Sequence, residues 1–244
     1  MPDMRPTPEP VEQAARLVAT RYPDALAAVL GGSTARGRTT PTSDLDIAVL
    51  LPEGSVTRRE TVRHGARTAE VFLHTPTTVE EFFASDTRSR RGTMLFIYAE
   101  SLPVHDPDGR AAALVARARE LLSAGPAPPA PQDLEGARYG LTDLLEDLVD
   151  TTDRHEQLAV ADRVLRDAAD LLTAHRNAWT GGGKWLPRRL LAADPILGRA
   201  LLDGHLAVAE HADPVPLATA AQTVLTLVGG PLRDGYASTW TGTR

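Results

Sequence analysis

"GGSTARGRTTPTSDLDIAVL", residues 31–50, joins a glycine-serine turn to two aspartates standing one residue apart at the head of an apolar run. The run before it, ALAAVL, is short and ended by Gly31 and Gly32, which reads as a buried strand. The run after it, DLDIAVLL, reads as a second strand closed by the turn residues Pro52, Glu53 and Gly54. Side chains alternate along a strand, so Asp44 and Asp46 are expected on one side and Leu45 and Ile47 on the other. Two carboxylates aimed at one point repel unless a hard divalent cation lies between them. Magnesium takes oxygen ligands and shares them with substrate phosphates, so such a pair belongs beside a phosphate cradle. The Gly31-Gly32-Ser33 turn supplies one: glycines let the backbone approach a ligand, and Ser33 adds a hydroxyl. Either piece alone is ordinary loop chemistry. Their conjunction at a fixed gap between two apolar strands is not.

Working outward, VEQAARLVATRY behind Pro8 and Pro10 reads as a first helix with Val11, Ala14, Ala15, Leu17 and Val18 on one face. TAEVFLHT reads as a further strand, TVEEFFAS and RRGTMLFIYAE as helical, SLPVHD as an edge strand and GRAAALVARARELLSA as a helix. The proline-rich run GPAPPAPQ, residues 125–132, stays extended and marks a domain boundary. Beyond it LEGARYGLTDLLEDLVDTT, HEQLAVADRVLRDAADLLTAHRNAW, PILGRALLDGHLAVAEHA and PVPLATAAQTVLTLVGG all carry helical periodicity. The expected fold is an α/β (α+β) domain on a small mixed sheet over residues 1–124, a linker at 125–132, and an all-α helical bundle over 133–244.

Composition narrows the chemistry. A chain of 244 residues that is 42% hydrophobic is long enough to bury one large core or two small ones. No apolar stretch approaches a membrane span, and MPDMRPTPEP lacks the basic and apolar regions of a signal peptide, so a cytoplasmic location without membrane partners is expected. The absence of cysteine removes disulfides, thiolate zinc sites and cysteine nucleophiles. A net charge of −6 argues against broad binding to a nucleic-acid backbone, so DNA is not an expected partner. The seven histidines show no zinc-hydrolase spacing. Ser33 is followed by Thr34 and Ala35 where a nucleophile elbow needs glycine two residues on. GGGK, residues 181–184, fails as a P-loop because Ala178 and Trp185 stand where that motif needs Gly and Ser or Thr. RALLDGH, Arg199 to His205, matches an Arg-x(4–6)-His ribonuclease pattern too loose to carry weight.

GGSTARG followed by SDLD resembles the signature of the DNA polymerase β-like nucleotidyltransferase superfamily, and is similar to its small bacterial members, the aminoglycoside and lincosamide nucleotidyltransferases. The resemblance covers residues 30–75 closely and 178–188 more loosely. It implies a third carboxylate on a neighbouring strand, which Glu70 in RTAEVFLHT offers, either as a third metal ligand or as base for an acceptor hydroxyl. It implies Arg36 as a phosphate contact, and Lys184 in the glycine-lysine turn as a ligand of the triphosphate.

The activity implied is transfer of a nucleotidyl group, AMP from ATP by analogy, to a hydroxyl of a small-molecule acceptor with release of pyrophosphate and with two magnesium ions. Gly32 and Ser33 would position the phosphates, and no covalent enzyme intermediate is needed. Asp143, Glu146, Asp147 and Asp150 repeat at helical spacing opposite a leucine face, a solvated acidic stripe or a surface for a polycationic acceptor such as an aminoglycoside. A protein-directed nucleotidyltransferase and a non-catalytic relative are the alternatives. The intact Gly32, Ser33, Asp44, Asp46 and Glu70 count against the latter.

Overall fold

Strand β1 (Ala27–Leu30) is entirely buried, as its unbroken apolar run requires. It pairs antiparallel with β2 (Leu45–Leu50) on one side and with β5 (Leu102–His105) on the other. β4 (Arg67–His74) lies parallel to β2, and β3 (Arg58–His64) pairs antiparallel with β4, so the sheet order is β3-β4-β2-β1-β5. The computed structural model describes residues 8–38, 43–65 and 67–239; residues 1–7, most of the MPDMRPTPEP stretch that bears on a signal peptide, and residues 39–42, within the spacer of the GGS…DLD motif, lie outside the described residues.

Alternation decides which way each strand faces. Leu45, Ile47 and Val49 of β2 and Ala69, Val71 and Leu73 of β4 pack with Ala14, Leu17 and Val18 of helix α1 (Pro8–Arg21) in one core. Each of these larger aliphatic side chains contributes about 1.5–3 kcal/mol by leaving water. Asp46, Glu70, Phe72 and His74 therefore leave the sheet on its other face. β3 is the strand that periodicity does not announce. RRETVRH offers the core little beyond Val62, because an edge strand has one flank and much of its surface in water.

Helix α3 (Pro76–Ser89) starts at a reciprocal cap, with Thr75 Oγ1 accepting from the Thr78 amide and Thr78 Oγ1 accepting from the Thr75 amide. The start of α4 (Thr93–Ala99) is capped from a distance: the buried Asp86 Oδ2 accepts from Met94 N at 2.5 Å and Leu95 N at 3.0 Å. His74 and Tyr98 are buried side by side, ring centroids 6.4 Å apart, with neither ring nitrogen of His74 nor the Tyr98 hydroxyl hydrogen-bonded among the described residues. Burial pushes the His74 imidazole down to about 4. Helix α5 (Arg110–Ala124) completes the first unit, which ends at Pro126.

The second unit, Ala127–Arg244, is helical: α6 (Pro131–Asp150), α7 (Arg154–His175), α8 (Trp185–Ala193), α9 (Pro195–His211) and α10 (Val215–Leu227). Pro131 and Gln132, assigned to the linker from sequence, form the first turn of α6, where a missing N–H costs nothing. Leu141, Leu145 and Leu148 of α6 meet Val164, Leu172, Leu201 and Val224 in the core. Gly204 of α9 admits α10 closely, since a Cβ there would lie 2.7 Å from Leu217 backbone atoms. After α10 the chain runs back along α6. Arg138 donates to the carbonyls of Gly229 and Gly230, Leu232 N donates to Thr142, and Tyr236 stacks on Tyr139 at 4.3 Å. Among the described residues no helix is long and apolar enough to cross a membrane.

Candidate active site

The glycine-serine turn continues directly into a single helical turn, α2 (Gly32–Ala35), laid against the head of β2. Gly31 N donates to the Asp46 carbonyl at 2.7 Å, and the buried Thr34 donates through Oγ1 to the Asp44 carbonyl at 3.2 Å. Ser33 Oγ donates to Ser43 Oγ at 3.3 Å. Thr34, which the motif reading passed over, thus couples the turn to the first aspartate, and its only sequence signal is its place between Ser33 and Ala35.

The two glycines serve different ends. At Gly31 an added Cβ would lie 2.8 Å from the Ile97 carbonyl oxygen, so the missing side chain here admits α4. Gly32 has φ +68°, and a Cβ there would lie 1.7 Å from Asp46 Oδ2. The Asp46 carboxylate therefore occupies the space above the turn. Asp44, half-buried, directly precedes β2.

Asp46 and Glu70 are Cα partners across the parallel pair β2–β4, so the strand pairing sets the third acidic residue beside the second. Glu70 is not gathered with the aspartates, however. Its Oε1 accepts from Arg59 Nη2 of β3 at 2.5 Å, and among the described residues no group of three or more His, Asp or Glu side chains is close enough to hold a metal. A three-carboxylate centre is thus not assembled. A magnesium ion needs only one or two protein carboxylates when phosphate oxygens and water complete its shell. The all-oxygen pair Asp44 and Asp46, with the Asp46 carboxylate over a side-chain-free Gly32, fits that demand.

Arg36 caps α2 and bonds Glu100 Oε2, 64 residues away in sequence, at 2.5 Å, holding the end of this turn to the end of α4. Lys184 is exposed at the start of α8. The glycines before it have local reasons: Gly183 has φ +52°, and a Cβ on Gly181 would lie 2.9 Å from the Trp185 carbonyl. Trp179 is buried, and Trp185 lies under the guanidinium groups of Arg188 and Arg189, each 4.9 Å from its ring. On α6, Asp143 and Glu146 already hold a cation, because Arg233 bonds both. Asp147 is exposed, and a groove of about 1020 Å³ between α6 and α10 is lined by Glu146, Asp150, Thr219 and Thr223.

Residues 11–96 match the family model of the nucleotidyltransferase domain. No curated protein matches the chain significantly. Among solved structures, the chain is similar to a nucleotidyltransferase-like protein from Exiguobacterium sibiricum 255-15, with a TM-score of 0.46 and 12% identity over 89% of this chain and 74% of that one. The family match spans most of the first helix, the GGS turn, both aspartates, Glu70 and Arg59. The amino-terminal unit thus carries, over residues 11–96, a segment that matches the nucleotidyltransferase domain.

Proposed function

We propose that the protein moves a nucleotidyl group from a nucleoside triphosphate, with ATP as donor, to a hydroxyl of a small-molecule acceptor and releases pyrophosphate. The observation that carries the reading is the apposition of Gly32 and Asp46: a residue without a side chain, with a carboxylate over it, at the head of the strand that Asp44 directly precedes. A polyphosphate needs donors and its cation needs carboxylates, and both are offered within one short segment.

Asp44 and Asp46 would hold magnesium, two ions in the full assembly. When bound, the metal supplies charge neutralisation on the phosphates and lowers the barrier to displacement at the α-phosphorus. Backbone N–H groups of Gly32 and Ser33, with the Ser33 hydroxyl, orient the triphosphate. Arg36 holds the turn through Glu100 and is close enough in sequence to Ser33 to meet phosphate, and Lys184 of the helical unit is a further proposed phosphate ligand. Glu70 serves as third ligand or takes the acceptor proton. The acceptor hydroxyl forms the new O–P bond in line as the bond to pyrophosphate breaks, so positioning and electrostatics supply the rate. A polycationic acceptor such as an aminoglycoside is the proposed class, with Asp143, Glu146 and Asp147 as its proposed contacts.

The test is pyrophosphate release with magnesium and each ribonucleoside triphosphate against pooled aminoglycosides and lincosamides, with product masses read for an added nucleotide and Asp46→Ala as control. A mass gain that vanishes in the variant supports the reading. Absence of both turnover and magnesium-dependent nucleotide binding overturns it.

A further inference from the structure

We propose that Arg59 is a positioning residue for Glu70, a latch that keeps this carboxylate away from Asp46 until a metal-bound triphosphate draws it across. The inference rests on the reading of Asp44 and Asp46 as metal ligands.

Asp46 and Glu70 are register partners on adjacent parallel strands, so their side chains leave the sheet on one face beside each other. Like charges so placed repel. The two carboxylates are placed in different directions. The Asp46 carboxylate lies over Gly32, and the Glu70 carboxylate is bonded by Arg59, which comes from the far side of β4 in the order β3-β4-β2. Glu70 therefore stands between two places that can satisfy its charge, a guanidinium on one flank and the Asp46 site on the other.

Arg59 is itself held in place. It is the register partner of Phe72, two residues along β4 from Glu70, and its guanidinium lies 5.3 Å from the Phe72 ring centroid. A planar fork stacked on an aromatic ring is held in place, and what it offers Glu70 is a positive charge that lysine also supplies. Yet the pair is open to water, with side-chain exposures of 60% for Arg59 and 25% for Glu70. Ion pairs this exposed are weak and exchange readily. A divalent cation carrying a triphosphate offers Glu70 a stronger partner, so arrival of the substrate complex and completion of the carboxylate set become one event.

The experiment titrates Mn²⁺ alone into the full chain, following the electron paramagnetic resonance signal of free Mn²⁺, with no nucleotide and no turnover. Arg59→Ala is expected to tighten Mn²⁺ binding roughly three- to tenfold, the range that an exposed ion pair can withhold. Arg59→Ala combined with Glu70→Gln should lose that gain, and Arg59→Lys should stay within twofold of wild type. Circular dichroism on each variant establishes that β3 still pairs. Unchanged affinity in Arg59→Ala, or a gain that survives Glu70→Gln, overturns the latch. Asp46→Asn separates the two readings: if it binds Mn²⁺ as wild type does, the metal-site reading fails, whereas loss of binding there with no response to Arg59→Ala condemns the latch alone.

Discussion

The Asp46 carboxylate fills the volume that any side chain at Gly32 would need, with a notional Cβ 1.7 Å from Oδ2, while Gly32 itself holds φ +68°. Gly32→Ala therefore meets two penalties, about 1–2 kcal/mol for a left-handed alanine and the displacement of a carboxylate. We expect Mn²⁺ affinity to fall at least tenfold in this variant, read by the same titration, while the far-UV circular dichroism spectrum is kept.

Asp86 closes the start of α4 from eight residues upstream, accepting from Met94 N and Leu95 N. Asp86→Ala leaves two N–H groups without their partner beside the core, a loss of about 2–4 kcal/mol. Urea unfolding checks this, with an unchanged slope and a lowered midpoint expected.

His74 makes stability depend on pH. Its folded-state value, about 4, lies below its ordinary value near 6.5, so between these limits the unfolded chain binds a proton that the folded chain refuses. Stability falls as pH drops through that window, by roughly 3 kcal/mol in full. His74→Leu removes this component. The difference in unfolding free energy between variant and wild type, measured at pH 7 and at pH 4.5, should grow at the lower pH.

The segment after α10 is tied to α6 by aromatic and ionic contacts of different worth. Tyr236→Ala removes the stack on Tyr139 and should cost about 1 kcal/mol, a fall of about 3–6 °C in Tm. Arg233→Ala gives up exposed pairs with Asp143 and Glu146 that water and salt screen, and should cost less than the loss of that stack. Differential scanning calorimetry ranks the two.

What the sequence reveals of this site follows from short-range regularities. Alternation along DLDIAVLL and TAEVFLHT is enough to set Asp46 and Glu70 on strands and to give β2 and β4 a common apolar face, whereas Asp44, expected on the strand, stands just before β2. The controlling partners come from afar and carry no period. Glu100 lies 64 residues from Arg36, and the approach of Ile97 to Gly31 depends on how α4 packs. Arg59 sits in a strand whose charged residues hide it, because an edge position relaxes the demand for apolar side chains. Helix α8 is obscured by the glycines before it and by Pro187 in its first turn, where proline is tolerated. The acidic stripe of α6 is plain in the sequence, but the cation that holds Asp143 and Glu146 arrives from Arg233 beyond α10.

Both borders of the sheet are guarded against unwanted strand addition. On one side β3 displays the exposed arginines Arg58, Arg59 and Arg63; on the other, β5 carries Pro103, which has no N–H to offer an incoming chain. The arginine that holds Glu70 is thereby also part of the protein's defence against aggregation. A neutral residue at 59 exposes a flatter, less charged border, so the solubility of such a variant reports on sheet protection, independently of anything that happens at the aspartates.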